Sequence, residues 1–248
     1  MRRATSRTVV ACLGSSSTAG RGQAFDWIGA LAQRPQNARF AFRNFGVGGD
    51  LADNALRRLP KVVACRPAKV LVWVGANDVL ALVFPKVRRV FRLAKHLPRD
   101  PSPEGFREAL AALVQGLKAG TTADIALCSL APIGEDPNPA DTTQAALDRR
   151  IAEYSAIIAG IARREGCHYL PVYETMQAEL LMRPGQAFTT FDFLPFYRDA
   201  FRALILGRSP DDIGRSNGWR LHSDGVHLNS VGGMIAAELV QAFLEGSA

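Results

Sequence analysis

The sequence predicts an α/β protein in which helices cover both faces of a parallel sheet. Short apolar runs of strand length, at residues 8–13, 39–45, 69–74, 124–130 and 168–172, alternate with longer segments of helical periodicity. Strands that alternate with helices form parallel sheets through right-handed crossovers, and the expected architecture is a three-layer α/β/α sandwich. With 248 residues, 48% of them hydrophobic, the chain fits one domain with one large core.

The predicted helices carry apolar residues at spacings of three and four positions. Asp50 is expected to cap the second helix, Pro60 to bend or interrupt it, and Gly166 to end the long fourth helix. The helices are predicted at residues 22–34, 51–64, 103–118, 141–164, 173–182 and 231–244.

The positive charge of the chain is concentrated in two segments. The net charge is +7, and residues 1–7 and 86–99 together hold nine basic residues and no acidic one. Residues 86–97 show helical spacing with a basic outer face, which we interpret as a solvated helix face. Weak attraction to an anionic membrane surface or to an acidic substrate is the alternative. No nucleic-acid-binding motif accompanies the charge, so a nucleic-acid partner is not expected.

Other sequence features predict a cytoplasmic protein without a metal or cofactor. No run approaches the roughly 18 apolar residues of a membrane span, and the apolar run at residues 8–13 is shorter than that of a secretion signal. The four cysteines lack metal-ligand spacing and are expected to be buried. The Gly14–Gly20 turn has neither the lysine of a P-loop nor the glycine spacing of a dinucleotide site.

Polar residues follow the ends of the first three predicted strands. They are Ser15 to Ser17, Gly48 to Asp50, and the pair Asn77 and Asp78. In open parallel sheets, ligand sites lie beyond the carboxyl ends of the strands. These residues are therefore expected to lie at one edge of the sheet.

A fourth polar group, Asp224 and His227, lies late in the chain just before the last helix. Three positions apart on one tight loop, the carboxylate can hold the imidazole, which gives two members of a nucleophilic triad. Gly225 relaxes the backbone between them, and Asn229 or Ser230 can cap the following helix. His222 lies near enough in sequence to be a rival for His227.

Four segments together resemble the sequence blocks of the SGNH/GDSL hydrolase family, in the family's order. The segments are Gly14-Ser15-Ser16, Gly49-Asp50, Gly75-Ala76-Asn77-Asp78 and Asp224-Gly225-Val226-His227-Leu228, and the match runs from about residue 9 to residue 244. The resemblance implies a flavodoxin-like sheet of about five strands and hydrolysis of ester or thioester bonds through an acyl-enzyme. It also implies a single domain, residues 1–248, with insertions near residues 84–102 and 186–220.

The resemblance assigns roles to individual residues. Ser16 corresponds to the nucleophile, His227 to its general base, and Asp224 to the residue that orients the imidazole. The oxyanion hole would combine the backbone N–H groups of Ser16 and Gly49 with the side-chain amide of Asn77. The family usually has Asp between the glycine and the serine of the first block, and this chain has Ser15 there.

The expected function is serine-dependent hydrolysis of a small-molecule carboxylic ester, with thioesters and lysophospholipids open to the same mechanism. Phe188, Phe191, Phe193 and Phe196 lie in a stretch with five phenylalanines in fourteen residues. They either form a substrate-binding apolar wall over the site, which predicts a preference for acyl groups of about six to ten carbons, or they pack in the core. An acetylesterase acting on a sugar or another short-acyl ester, an acyltransferase, and a non-catalytic acyl- or glycan-binding module are the alternatives.

Overall fold

Five parallel strands form the centre of the computed structural model, which describes residues 7–246. The sheet order is β2-β1-β3-β4-β5. The chain therefore adds β2 on one side of β1 and the later strands on the other side. This is the flavodoxin-like order, and the predicted fold class and number of strands are confirmed. The strands are β1 (Thr8–Gly14), β2 (Phe40–Gly46), β3 (Lys69–Trp73), β4 (Asp124–Cys128) and β5 (His168–Leu170).

The helices pack on both faces of the sheet. Asp141 caps α8 by accepting the N–H groups of Thr143 and Gln144, and left-handed Gly166 ends it. The helices are α1 (Ser16–Ala19), α2 (Trp27–Ala32), α3 (Ala52–Arg57), α4 (Leu59–Ala64), α5 (Ala76–Val83), α6 (Pro85–Ala94), α7 (Pro103–Gly120), α8 (Thr142–Glu165), α9 (Val172–Met182), α10 (Phe193–Leu204), α11 (Pro210–Asn217) and α12 (Ser230–Glu245), with a 3₁₀ turn at Pro35–Asn37.

The core consists of two apolar layers separated by the sheet. In β1, Ala11 and Leu13 face the layer formed with α3, α5, α7 and α8, whereas Val10 and Cys12 face the layer formed with α2, α9 and α12. This alternation explains why the strands read as continuous apolar runs in the sequence. The rigid sheet fixes the positions of the loops that follow its strands.

One predicted helix begins later than expected, and another is interrupted close to the expected position. The helix expected at residues 22–34 begins only at Trp27, because Gly20 and Gly22 have left-handed backbone angles and Asp26 caps α2 through the N–H of Gly29. The helix expected at residues 51–64 is interrupted as predicted, but at Arg58 and not at Pro60, which lies in the first turn of α4 where no amide donor is needed.

The two predicted insertions contain helices. Residues 84–102 include α6, and residues 186–220 include α10 and α11. Six of the seven residues of the predicted basic N-terminal segment, residues 1–6, lie outside the described residues, as do residues 247–248.

Candidate active site

The serine loop lies at the carboxyl end of β1. Ser15 is buried and directly precedes α1, and Ser16 is the half-buried first residue of that helix. The indole Nε1–H of Trp27 donates to the carbonyl of Ser17 over 2.8 Å. The turn of α1 thereby holds the three serines in fixed orientations above the strand.

Asp224 and His227 form a closely hydrogen-bonded pair. Oδ2 of Asp224 lies 2.8 Å from Nδ1 of His227, and Oδ1 accepts the backbone N–H groups of His227 and Val226 over 2.8 and 3.0 Å. Gly225 has φ +86°, and a Cβ there would lie 2.6 Å from atoms of Phe188 and Trp219. The tight turn therefore requires glycine between the two side chains.

The carboxylate of Asp224 is held in its ionised form. Burial alone would raise its pKa, but the charge and hydrogen bonds of His227, with the backbone donors, outweigh burial and lower the pKa to about 2. The charged carboxylate fixes the proton of the imidazole on Nδ1, which leaves Nε2 to take a proton from a hydroxyl group. The pair can serve as the base and orienting acid of a nucleophilic triad.

Hydrogen bonds join the serine and histidine loops through the segment after α1. Nε2 of Gln23 donates to Oδ2 of Asp224 over 3.3 Å, and the hydroxyl of Ser223 donates to the carbonyl of Gln23 over 2.7 Å. The N–H of Phe25 donates to the carbonyl of Leu228 over 2.9 Å. The two loops therefore lie at the same edge of the sheet, as the sequence predicted.

A small cavity lies between these loops. Ser15 and Ser17 line it together with Val226, the residue before His227. Its volume is about 10 Å³, roughly the room of one water molecule. The other lining residues are Trp73, Val74, Ala76, Leu130, Ala131 and Ile133. Ser15 thus faces this cavity at the position where the family usually has Asp.

Gly49 and Asn77, the other predicted oxyanion donors, are linked through Asp50. Nδ2 of Asn77 is buried and donates one hydrogen to the carbonyl of Asp50 over 2.9 Å. An amide has two such hydrogens, so the second can bind a substrate oxygen. Gly49 has φ +75°, and a Cβ there would lie 2.9 Å from Cε of Lys95, so the loop needs glycine at this position.

Two basic residues hold the Gly49 loop through the carboxylate of Asp50. Arg58 contacts one oxygen at 2.8 Å and Lys95 the other at 2.9 Å. Arg58 also donates to the carbonyl of Gly14 over 3.0 Å, and Lys95 donates to the carbonyl of Gly48 over 2.5 Å. These residues stabilise the loop on which Gly49, the predicted oxyanion donor, lies.

These contacts correct two predictions. Asp50 does not cap a helix, since the residue before α3 is Leu51 and the Asp50 carboxylate pairs with Arg58 and Lys95. The basic segment is only partly a solvated face: Lys95 points into the site, whereas Val90, which the helical spacing placed on the inner face, is 39% exposed. No local sequence pattern pointed to Arg58 or Lys95, because their partners lie in other segments.

Asp78, which follows Asn77, supports the same loop from the interior. Its Oδ2 accepts the N–H of Ala52 over 3.2 Å. Burial raises the pKa of Asp78 to about 8, so the side chain is largely uncharged at neutral pH. Asp78 is therefore a positioning residue for the start of α3.

His222 occupies a separate, fully buried environment. Its Nδ1 lies 2.9 Å from Oε1 of Glu135, and its Nε2 lies 3.0 Å from the carbonyl of Pro132. Both ring nitrogens therefore lie against oxygen atoms of the protein. Burial would raise the pKa of Glu135, but the hydrogen bond and charge of His222 lower it overall. Because His222 is fully buried and both of its ring nitrogens contact protein oxygens, the geometry favours His227 as the candidate base.

The aromatic segment reaches the histidine loop through Phe196. The Phe196 ring lies 5.5 Å from the His227 ring, centroid to centroid, and 5.9 Å from Phe191. Phe191 also contacts Phe188 and Phe193. Phe188 is only 9% exposed and packs against the core. Phe196 thus lies nearest to the candidate base, and Phe188 has a mainly structural position.

A larger cavity of about 310 Å³ lies beside Asp224 and under α10. Three phenylalanines and Trp219 form its apolar walls, and side-chain amides and charged groups form the rest. The lining residues are Gln186, Phe188, Thr190, Phe191, Asp192, Pro195, Phe196, Arg198, Asp199, Asn217, Trp219, Asp224 and Val226. Its size is at the lower end of that of small-molecule sites.

Among residues 7–246, no group of three His, Cys, Asp or Glu side chains is arranged to hold a metal ion. Over the same range, no helix combines the length and the apolar character needed to cross a bilayer.

The fold and the arrangement of the four loops define a class of hydrolase with its site at the carboxyl edge of a flavodoxin-like sheet. A model of the GDSL-like lipase/acylhydrolase family matches residues 12–233, and the chain belongs to this family. The sequence resemblance is thereby confirmed, and it makes the protein an ester hydrolase in general type. No curated protein shows significant sequence similarity to the chain.

Solved structures share the fold at low sequence identity. An acetyl xylan esterase, AlAXEase, is 19% identical with a TM-score of 0.67, over 95% of this chain and 99% of its own. A lipase/acylhydrolase from Enterococcus faecalis is 19% identical with a TM-score of 0.61, over 96% of both chains. Axe2, an acetylxylan esterase from Geobacillus stearothermophilus, is 17% identical with a TM-score of 0.60, over 98% of this chain and 96% of its own.

Proposed function

We propose that the protein hydrolyses carboxylic esters through an acyl-enzyme on Ser16. The observation that carries this proposal is the Asp224–His227 pair, whose Nε2 remains available and whose loop is hydrogen-bonded to the segment that follows the serines. An imidazole that activates a serine needs an ionised, buried carboxylate hydrogen-bonded to its Nδ1.

In this mechanism the Ser16 hydroxyl attacks the ester carbonyl while its proton moves to Nε2 of His227. Asp224 stabilises the imidazolium that forms. The N–H groups of Ser16 and Gly49 and the free amide hydrogen of Asn77 bind the developing oxyanion. The imidazolium then protonates the leaving alcohol, and water releases the acid by the same steps in reverse. A second alcohol in place of water would give acyl transfer.

A fluorophosphonate probe tests the nucleophile directly. The wild-type protein should be labelled at Ser16, and the Ser16→Ala variant should not be labelled. Ser15→Ala is the matched control, because Ser15 is the neighbouring serine and faces the small cavity instead. Labelling that survives Ser16→Ala, or that is lost only in Ser15→Ala, would contradict the mechanism. No labelling of the wild type would favour a binding module.

The aromatic wall supports medium-chain acyl groups, of about six to ten carbons, as the first candidate substrates. Phe196 lies against His227, and Phe191 and Phe193 extend the apolar surface away from it. Each buried methylene contributes about 0.8 kcal/mol, so an acyl chain on this wall gains affinity with length.

Acetyl esters of a polar alcohol are the second candidate, and the two cavities favour them. The cavity beside Ser15 and Ser17 has room for little more than one small group. The larger cavity offers Gln186, Asn217 and Trp219, and an aromatic face with nearby amides suits a hydroxylated ring. In this arrangement the acyl group would occupy the small cavity and the alcohol the large one.

A p-nitrophenyl ester series from acetate to decanoate separates the two candidates. If the wall binds the acyl chain, kcat/KM should rise with length, and Phe196→Ala should flatten the rise. Phe201→Ala is the matched control, because Phe201 lies on the same helix with its side chain 53% exposed. A steady fall from acetate onward would exclude the medium-chain assignment and favour the acetyl ester.

A further inference from the structure

One face of α10 exposes an apolar stripe to solvent. Leu194, Tyr197, Phe201 and Leu204 recur at intervals of three and four residues and lie within about 100° of helix circumference. With Ile205 and Leu206 they are six large apolar side chains, each more than half exposed. Contiguous apolar patches of this size usually mark an interaction surface.

The inner face of α10 is already in contact with the protein. Phe196 lies on His227, and the carbonyl of Phe196 accepts Nε2 of Gln23 at 3.5 Å. Asp199 is buried and accepts a hydrogen bond from Asn217 over 2.8 Å. The exposed stripe is therefore not the face that packs on the domain.

Basic residues accompany the stripe. Residues 193–208 contain three arginines and one acidic residue, Asp199, which contacts Arg198 and Arg202. Arg198 and Arg202 lie beside the stripe on the helix surface, and Arg208 is exposed just after it. Residues 193–208 thus carry a net positive charge.

A second basic helix borders the same aromatic cluster. Phe84, which directly precedes α6, contacts Phe188 and Phe191, and Phe191 contacts Phe196 of α10. In α6, Lys86, Arg89 and Arg92 are exposed, and residues 85–99 contain no acidic residue.

We propose that α10 is an interfacial helix that docks this edge of the protein on an anionic lipid surface. An apolar stripe flanked by arginines is the pattern of a helix that lies in the plane of the membrane interface. At 12 residues, α10 is about 18 Å long, much shorter than the roughly 30 Å core of a bilayer. The helix therefore binds on the surface and does not span the membrane.

The arginines around the stripe favour lipid, and not a second copy of the chain, as the partner of α10. In a two-fold symmetric contact the same surface patch of both copies meets, so the arginines Arg198, Arg202 and Arg208 of one copy would lie in the same interface as those of the other. Asp199 is already shared between two arginines. Lipid phosphates would instead neutralise these cations.

Vesicle co-sedimentation of the full chain tests the proposal without depending on ester hydrolysis. The vesicles are phosphatidylcholine alone and an equal mixture of phosphatidylcholine and phosphatidylglycerol. Wild-type protein should bind the mixed vesicles more tightly, and added salt should weaken that binding. Leu194→Ser with Phe201→Ser should lower the partition coefficient at least ~10-fold, because two anchors no longer enter the interface.

The matched control is Leu181→Ser with Met182→Ser, since these side chains at the end of α9 are 57% and 71% exposed outside the stripe. This variant should bind as the wild type does. Arg89→Gln and Arg208→Gln should each weaken binding to the mixed vesicles roughly fivefold. Circular dichroism and hydrolysis of a soluble ester check that every variant is folded.

Three results would overturn the proposal. The first is equal binding of wild-type protein to neutral and anionic vesicles, or no binding to either. The second is an equal loss of binding in the α10 and α9 variants. The third is a wild-type dimer in light scattering that becomes a monomer in the Leu194→Ser, Phe201→Ser variant, which would assign the stripe to a contact between copies.

Discussion

Replacing Asp224 with Asn tests the proposed mechanism most sharply, because the change keeps the shape of the side chain and moves one proton of the His227 imidazole. Oδ1 of Asp224 accepts two backbone N–H groups, from Val226 and His227. The asparagine carbonyl can keep both of these bonds, which turns its NH₂ group towards Nδ1 of His227. The imidazole then carries its proton on Nε2, where it can no longer accept one from Ser16.

The expected loss of kcat is about 10⁴-fold, with little change in KM. The pKa of Asp224 lies at about 2 against an ordinary 3.8, a difference equivalent to about 2 kcal/mol of stability at neutral pH. Because the pKa is lowered on folding, this stability is complete above the ordinary carboxyl pKa and is lost as the pH falls towards 2. For a domain of this size, Tm at pH 7 should fall by no more than about 10 °C.

The assay combines steady-state hydrolysis of a soluble p-nitrophenyl ester with thermal unfolding at pH 7 and at pH 3. Asp192→Asn is the control, because Asp192 is an exposed carboxylate that lines, with Asp224, the cavity of about 310 Å³ under α10. It should retain wild-type turnover. Turnover of Asp224→Asn within tenfold of wild type, in a folded protein, would refute the assignment of the pair as catalytic.

Three further predictions concern other residues of the site. Ser16→Ala should lower turnover by 10³-fold or more, whereas Ser15→Ala and Ser17→Ala should have much smaller effects in the same assay. Asn77→Ala should lower kcat by roughly 10²-fold with a smaller change in KM, because its amide binds the oxyanion most strongly in the transition state; an effect confined to KM would contradict this. Burial raises the pKa of Asp78 to about 8, so wild-type stability should fall as pH rises from about 4 to 8, and Tm of Asp78→Asn should depend less on pH there.

The sheet and the histidine loop could be predicted because their signals are local. The central strands β1, β3 and β4 are largely apolar runs whose residues are mostly buried on both faces of the sheet. Asp224 and His227 lie three positions apart, so one turn suffices to bring them together. Gly49 and Asn77 were found through their positions after strand ends and through the family resemblance. Their catalytic roles, and that of Ser16, remain predictions.

The residues that brace the site could not be predicted, because their partners are distant in sequence. Lys95 lies 45 residues from Asp50, and Glu135 lies 87 residues from His222. Helical periodicity identified the helix around residues 86–97 and its buried Val87, but Val90 is exposed. It could not show that Lys95, just past the end of α6, pairs with Asp50. The expected break in the helix at residues 51–64 falls at Arg58, just before Pro60, and the Arg58 side chain donates to the carbonyl of Gly14 at the end of β1.

The Glu135 carboxylate determines how the histidine loop should respond to heat. It accepts the backbone N–H groups of Arg220, Leu221 and His222 as well as the His222 ring. The main chain of Glu135 is also hydrogen-bonded to Gly185 and Gln186.

One buried side chain therefore ties three distant segments together, and local opening of the loop would leave an unpaired charge in the interior. The loop should stay closed until the whole domain unfolds. Thermal inactivation of the enzyme and loss of its secondary structure should then follow a single curve. In the Glu135→Gln variant, inactivation should occur at a lower temperature than the loss of secondary structure.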